Sequence, residues 1–172
     1  MINDNVIVQV HNITGQTVVY KIDEDNIRRK FAGYEIKKVP ASELRKLFYI
    51  PGGGELLREY LCVENKELAA EFGVPQDQIE YFWTQEDVDR VLTTGSIEEL
   101  EDALEFGPLG IVDMIQDRAV ALKINDLMKR ETIFKHTGAN INNMIANSED
   151  EEETPAPAPA ETVRRRRVSH TE

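Results

Sequence analysis

Histidine, cysteine, glycine and carboxylate are the residue types here that could carry chemistry, and their spacing decides against most of it. His11, His136 and His170 stand far apart in the chain. A metal centre needs ligands that converge, and a single cysteine, Cys62, adds little to histidines so spaced. As a nucleophile Cys62 would need a neighbouring base, which the sequence does not indicate, so an inert half-buried thiol is the simpler reading. Gly52-Gly53-Gly54 precedes a helical pattern, where backbone N–H groups could hold an anion. No Lys-Ser or Lys-Thr follows, the spacing is not G-x-G-x-x-G, and Glu55 already complements the helix start. A structural turn is preferred to a phosphate site.

Charge is the stronger signal. Glu98, Glu99, Glu101, Asp102 and Glu105 are dense enough to suggest paired carboxylates, yet helical periodicity explains them as a solvated face. Glu98, Glu101, Asp102 and Glu105 are therefore candidates for docking a basic partner. Arg28, Arg29, Lys30, Lys37 and Lys38 lie near Tyr20, Phe31 and Tyr34. Basic strands with aromatics can bind single-stranded nucleic acid, but protecting a sheet edge is the commoner role. Arg164, Arg165, Arg166 and Arg167 form a second basic cluster near the C-terminal end. It could bind phosphates, dock on an acidic protein surface, or fold back on the acids at 149–153.

Those four arginines close a segment with its own composition. Glu149 to Glu153 are all acidic, and Pro155-Ala-Pro-Ala-Pro159 follows. Large apolar residues are scarce, so residues 147–172 are expected to be a disordered tail. The tail carries seven acids against four arginines, which leaves about nine of the net −12 charges on the remainder. A body that acidic repels a phosphate backbone, so any nucleic-acid contact falls to the tail. The lone cysteine precludes an internal disulfide and fits a reducing compartment. The opening Met1-Ile-Asn-Asp-Asn shows no secretory pattern, and no apolar run reaches the ~18 residues of a membrane span. No membrane partner and no cofactor is expected, and the expected compartment is a cytoplasm.

The elements that must position these groups fall into two sets. Residues 6–39 read as β: Val6 to Val10, then a turn at Thr14-Gly15, then Thr17 to Ile22, Arg28 to Phe31, and Tyr34 to Val39 before Pro40. Such a small antiparallel meander buries too little alone. Short helices should cover it, over Ser42–Tyr49, Glu55–Tyr60 and Lys66–Phe72, with Leu61–Val63 as a further strand. From Trp83 the pattern is helical. Thr84 reads as an N-cap with Trp83 and Val88 as a hydrophobic staple, and Ser96 with Glu99 as a capping box. Leu109 to Leu122 forms the next stripe, and Asn125 is expected to cap a final long helix ended by Gly138. Lys129, Arg130, Lys135 and His136 suit that helix's macrodipole, and Ile141 to Ile145 add one turn. Ile79, Tyr81, Phe82 and Trp83 form a short joint that needs burial.

The expected fold class is α+β: a small antiparallel β meander with short helices, followed by a helical lobe and a disordered C-terminal tail. The expected divisions are 1–80, 81–146 and 147–172.

Two spaced patterns carry a resemblance. One is Val8-x-Val10, Val19-Tyr20-x-Ile22, Arg29-x-Phe31, Glu35-x-Lys37-x-Val39, Glu43-Leu44-x-x-Leu47 and Pro51-Gly52-Gly53. The other is Glu86-Asp87-Val88, Gly95-Ser96, Leu100, Leu104-Glu105-Phe106, Asn125-Asp126, Lys129-Arg130-Glu131 and Thr137-Gly138. Together, over residues 1–146, they resemble a family of uncharacterised proteins of tailed bacteriophages from Gram-positive hosts. The resemblance implies a phage origin and a virion or assembly role, and it supplies no catalytic residues. The expectation is a non-enzymatic accessory protein acting through protein–protein contacts, in the host cytoplasm during assembly or in the virion. Phage structural or assembly proteins, or further copies of this chain, are the expected partners. The alternative is a nucleic-acid-associated protein that uses the arginine cluster as an electrostatic arm.

Overall fold

The structure, a computed structural model, describes residues 3–153, and side chains to residue 149. Five strands open it: β1 (Ile7–Asn12), β2 (Val18–Ile22), β3 (Ile27–Phe31), β4 (Ile36–Pro40) and, after two helices, β5 (Leu61–Val63). All pairings are antiparallel and the class is α+β, in line with the sequence. Spatial order differs from chain order. β1 lies between β4 and β5, while β2 and β3 form a separate ribbon. Cross-strand packing accounts for this. Val8 stands opposite Val39 and Val10 opposite Val63, so a central β1 gathers three strands' apolar residues on one face. Asn12 then turns the chain away. Its amide donates to the carbonyls of Gln16 and Ala32, both at 2.7 Å, and its oxygen accepts from Thr14 N–H.

That apolar face is covered by α1 (Ala41–Tyr49), α2 (Gly53–Glu59) and α3 (Lys66–Glu71), through Leu44, Leu47, Leu57 and Leu68. Of the triple glycine only Gly52 lies in the turn between α1 and α2, while Gly53 and Gly54 open α2, two residues before the expected start at Glu55. Gly52 adopts φ +80°, and a Cβ on Gly53 would overlap the carbonyl oxygen of Leu47.

The second half is helical: α4 (Gln85–Thr93), α5 (Ile97–Phe106), α6 (Leu109–Ala121), α7 (Leu127–Thr137) and α8 (Ile141–Glu153). Thr84 caps α4 and forms a reciprocal box with Asp87. Ser96 caps α5, but Glu99 completes no box, because its carboxylate turns to Arg90 at 2.7 Å. Asp126, not Asn125, caps α7, accepting from the N–H groups of Met128 and Lys129. Gly138 ends that helix at φ +75°, as expected.

Two departures are larger. Lys129, read as a macrodipole partner of its own helix, is only 4 % exposed and serves α4 instead. Its ammonium donates to the carbonyls of Val91 and Leu92 at 2.8 and 3.0 Å, two of the acceptors a helix end leaves open. Secondly, residues 147–153, assigned to the tail, continue α8. Ile141, Met144 and Ile145 anchor that helix in the core, and the ion pair of Glu149 with Lys123 at 2.7 Å holds its later turns. The acidic run there is also helix-compatible, since Glu has high helix propensity. The rest of the expected tail lies outside the described residues.

Buried apolar side chains form two clusters. One fills the space between the strands and α1–α3, and the other lies among α4–α8 but also takes in Ile13, Cys62, Ala69 and Val74. Tyr81, in a 3₁₀ turn at Ile79–Phe82, joins them and is fully buried. Its hydroxyl accepts from Val63 N–H at 2.9 Å and faces the carbonyls of Leu57 and Leu61 at 2.9 and 3.0 Å. Phe82 and Trp83 are partly buried as expected of the joint, whereas Ile79 is exposed.

Tyr81→Phe keeps the ring and strands these backbone groups in the interior. The expected loss is about 2–3 kcal/mol, at the upper end of the cost of unsatisfied buried polar groups. Urea unfolding monitored by circular dichroism measures it, and a loss below about 0.5 kcal/mol would show that the hydroxyl is dispensable.

Candidate functional site

The acids singled out in the sequence occupy α5. Glu98, Asp102 and Glu105 are exposed at successive turns of one helix face. Glu101 is half-buried, with Oε1 3.6 Å from Lys135 Nζ on α7, so part of its charge is used within the chain. A hydrogen bond from its own backbone N–H at the helix start, and then one from Ser96, hold the Glu98 carboxyl below the usual range. Arg164 to Arg167 lie outside the described residues.

The basic strands are not a base-stacking platform. Tyr20 and Phe31 point into the core. Arg29 is committed to Glu43 of α1, through Nε to Oε1 at 2.5 Å and Nη2 to Oε2 at 2.7 Å, while Tyr20 donates to the same Oε1 at 2.6 Å. This clamp fastens the β2–β3 ribbon to α1. Burial opposes ionisation of Glu43, but the hydrogen bonds from Arg29 and Tyr20 outweigh it and lower its pKa. Lys37 extends over the Phe31 ring, 5.5 Å from its centroid, and also donates to the carbonyl of Lys30.

Cys62 is buried, and loss of solvent drives its thiol up to about 12, with the Glu64 charge adding to the effect. It is a packing thiol rather than a nucleophile. His11, on β1, lies 2.7 Å from Glu64 Oε1 but out of line for a hydrogen bond, and His136 is on α7 in the other lobe. Among the described residues, no three His, Cys, Asp or Glu side chains gather to hold a metal ion.

One polar concavity, of about 310 Å³, was not foreseen. Thr14 and Gln16 line it from the loop after β1, and Asp113, Gln116 and Asp117 from α6. Tyr34, at φ +59°, donates to Asp117 Oδ2 at 2.7 Å, and Thr14 donates to Asp113 Oδ2 at 3.4 Å. Burial raises the Asp113 pKa, Thr14 lowers it, and the nearby Asp117 charge raises it again. Burial first, then Asp117 and Asp113, push the Tyr34 hydroxyl far above its ordinary value. The groups are thus turned on one another, and they lock the loops of the β-lobe to α6.

Comparison with protein-family models, curated proteins and solved structures returns no match.

Two further surface features are apolar. Ile79 and Phe106 are 64 % and 62 % exposed, and Leu109 is nearly half exposed. They belong to one region, because Gln78 donates to the carbonyl of Phe106 at 2.7 Å and a Cβ on Gly107 would lie 3.6 Å from Glu80 Cβ. Glu105 adjoins this region as the last acid of the α5 face. On α7, Leu127 and Met128 are each 63 % exposed and Phe134 54 %. Sequence reasoning missed this second surface. Its signal was a helix apolar on more than one side, with Ile133 inward and Phe134 outward.

Glu43 and Asp113 have opposite linkage to pH. Glu43 has a folded-state pKa below its unfolded one, so its stabilisation is present above the unfolded value and lost as pH falls through the folded one. Asp113 has a raised folded-state pKa, so its ionised form is a burden at neutral pH that acid relieves. Glu43→Gln should cost about 2 kcal/mol at pH 7, less than a fully buried pair because Arg29 remains part-exposed. Asp113→Asn should stabilise at pH 7. Urea melts at pH 7 and at about pH 3.5 should show both differences shrinking in acid. Pairs of curves with no pH dependence would refute the assignment.

Proposed function

We propose that this chain is a non-enzymatic accessory protein of a tailed phage, a virion structural or assembly component that works through protein–protein contacts. Two things support the reading: the family-like patterning of residues 1–146, and a surface suited to a partner. The observation that carries it is the exposed group of Ile79, Phe106 and Leu109 at the end of the acidic α5 face. A contiguous exposed apolar patch with a polar rim is the kind of surface that marks a protein–protein contact. The apolar group supplies contact area, and Glu98, Asp102 and Glu105 supply orientation toward a partner with a basic rim.

Quantitative mass spectrometry of purified virions and of assembly intermediates from infected cells tests this. The chain is expected at a fixed ratio to the major capsid protein in one or both. The double variant I79D/F106D should lower that ratio at least about tenfold, the equivalent of ~1.4 kcal/mol of binding, with its thermal melt unchanged. Absence from both fractions overturns the reading. Binding to DNA that weakens steeply with salt, and that is lost on replacing Arg164 to Arg167 by alanine, would put the nucleic-acid alternative in its place.

A further inference from the structure

We propose that α7 is a self-association surface, on which two copies of this chain pair antiparallel about a two-fold axis between Arg130 and Glu131. The helix has a clean outer stripe. At 3.6 residues per turn, Leu127, Arg130, Glu131 and Phe134 fall within about 100° of arc. The buried Lys129 and Ile133 lie on the opposite side. The stripe is therefore solvent-facing and carries two large apolar residues at its ends, with one base and one acid at its centre.

This order is self-complementary. An isologous contact requires that if residue i meets j, then j meets i. With the axis between Arg130 and Glu131, Leu127 stands opposite the partner subunit's Phe134, and Arg130 stands opposite the partner subunit's Glu131. Each apolar residue meets an apolar one and each charge meets its opposite. Any shift by one turn would place the acid or the base against an apolar residue, so the register is specified.

The charges are available for this. Glu131 is exposed and has no ion pair or hydrogen bond among the described residues. Arg130 donates Nε to the carbonyl of Ile124 at 2.6 Å and Nη1 to Asn142, which fixes the guanidinium at the edge of the stripe and leaves Nη2 open. A shallow cavity of about 210 Å³ lies beside it, between α7 and the start of α8. That is below the ~300–1,000 Å³ of ordinary small-molecule pockets, and it suits a single inserted side chain such as the partner subunit's Phe134. A pair of helices buries less than a standard interface, so the dimer belongs to the weak, concentration-dependent class. The surface shares no residue with the one at Ile79, Phe106 and Leu109, so variants of this proposal and of the partner reading can fail independently.

Sedimentation velocity of the full chain across a series from about 1 µM to 1 mM tests the pairing. The wild-type mass should rise from 19.6 kDa toward twice that value. E131R places like charges across the axis and should weaken association at least about tenfold, as should F134D, both with unchanged melting curves. R130E alone should also weaken association, with some loss of stability from the bonds of Arg130 to Ile124 and Asn142. An equimolar mixture of R130E and E131R should associate again, because every central contact in the mixed pair then joins a carboxylate to a guanidinium. A wild-type chain that stays monomeric throughout, or an association that E131R and F134D leave intact, overturns the proposal. A mixture that stays monomeric although both variants are folded overturns the antiparallel register.

Discussion

The hydroxyl of Tyr81 lies where the last strand, the helix before it and the second half of the chain converge, and the two cores depend on what it does there. β5 has only three residues and one neighbour, so its outer edge presents backbone groups that no further strand satisfies. A buried edge of that kind costs free energy unless something pairs with it. Tyr81 accepts from Val63 N–H, and its single proton is shared between the carbonyls of Leu57 and Leu61. Burial, helped by the nearby Cys62, holds the hydroxyl far above its ordinary pKa, so it remains a donor at every relevant pH. With that edge closed, Cys62 can lie against the helices while Val63 packs beneath α1–α3.

Secondary contacts repeat the device of a long-range side chain ending an element. Glu59 accepts from Leu109 N–H at 2.9 Å and so caps α6 from the β-lobe. Lys129 closes the C-terminal end of α4, and the Asp89–Arg118 pair, both contacts at 2.6 Å, ties α4 to α6. The close approach of α6 to the β-lobe also explains Gly110, where a Cβ would lie 2.7 Å from Ile13 and 2.8 Å from the carbonyl of Glu59. Helix ends that water would otherwise satisfy are closed by other parts of the fold, which makes the packing of the lobes cooperative with their secondary structure.

What the sequence disclosed divides along the same line. Thr84, Ser96 and Gly138 act within four residues of the groups they satisfy, so their types and spacing revealed the helix limits. Val8, Val10, Val18 and Tyr20 alternate, so the strands were legible too. Lys129, Tyr81, Glu43 and Asn12 act on partners from 14 to 38 residues away, or on several at once. Local pattern contains nothing about such partners: Lys129 was misread, Glu43 and Asn12 were given no such role, and for Tyr81 the burial was expected but not the hydrogen bonds. The same gap hid the order of the strands, because β4 and β5, the partners of β1, lie beyond the intervening β2–β3 ribbon in the chain. Of the proposed interaction surface, the charged part on α5 was visible from periodicity. The apolar residues beside it were not, since an exposed Phe and a buried Phe look alike in sequence.

Charge explains why those two kinds of surface matter together. The arginines of the described body are largely committed inside it: Arg29 to Glu43, Arg45 to Asp4 and Glu71, Arg90 to Glu99, Arg118 to Asp89. The negative excess is therefore left on the surface, and it opposes any close approach of two such chains. A contact between copies can form only where the local charge pattern is balanced, and the outer stripe of α7, with one base and one acid between two apolar residues, meets that condition. The α5 face does not, because Glu98, Asp102 and Glu105 present one sign along its length. It favours a partner of opposite charge and disfavours a second copy of itself. The distribution of arginine inside the fold thus separates the two proposed surfaces by the kind of molecule each would accept.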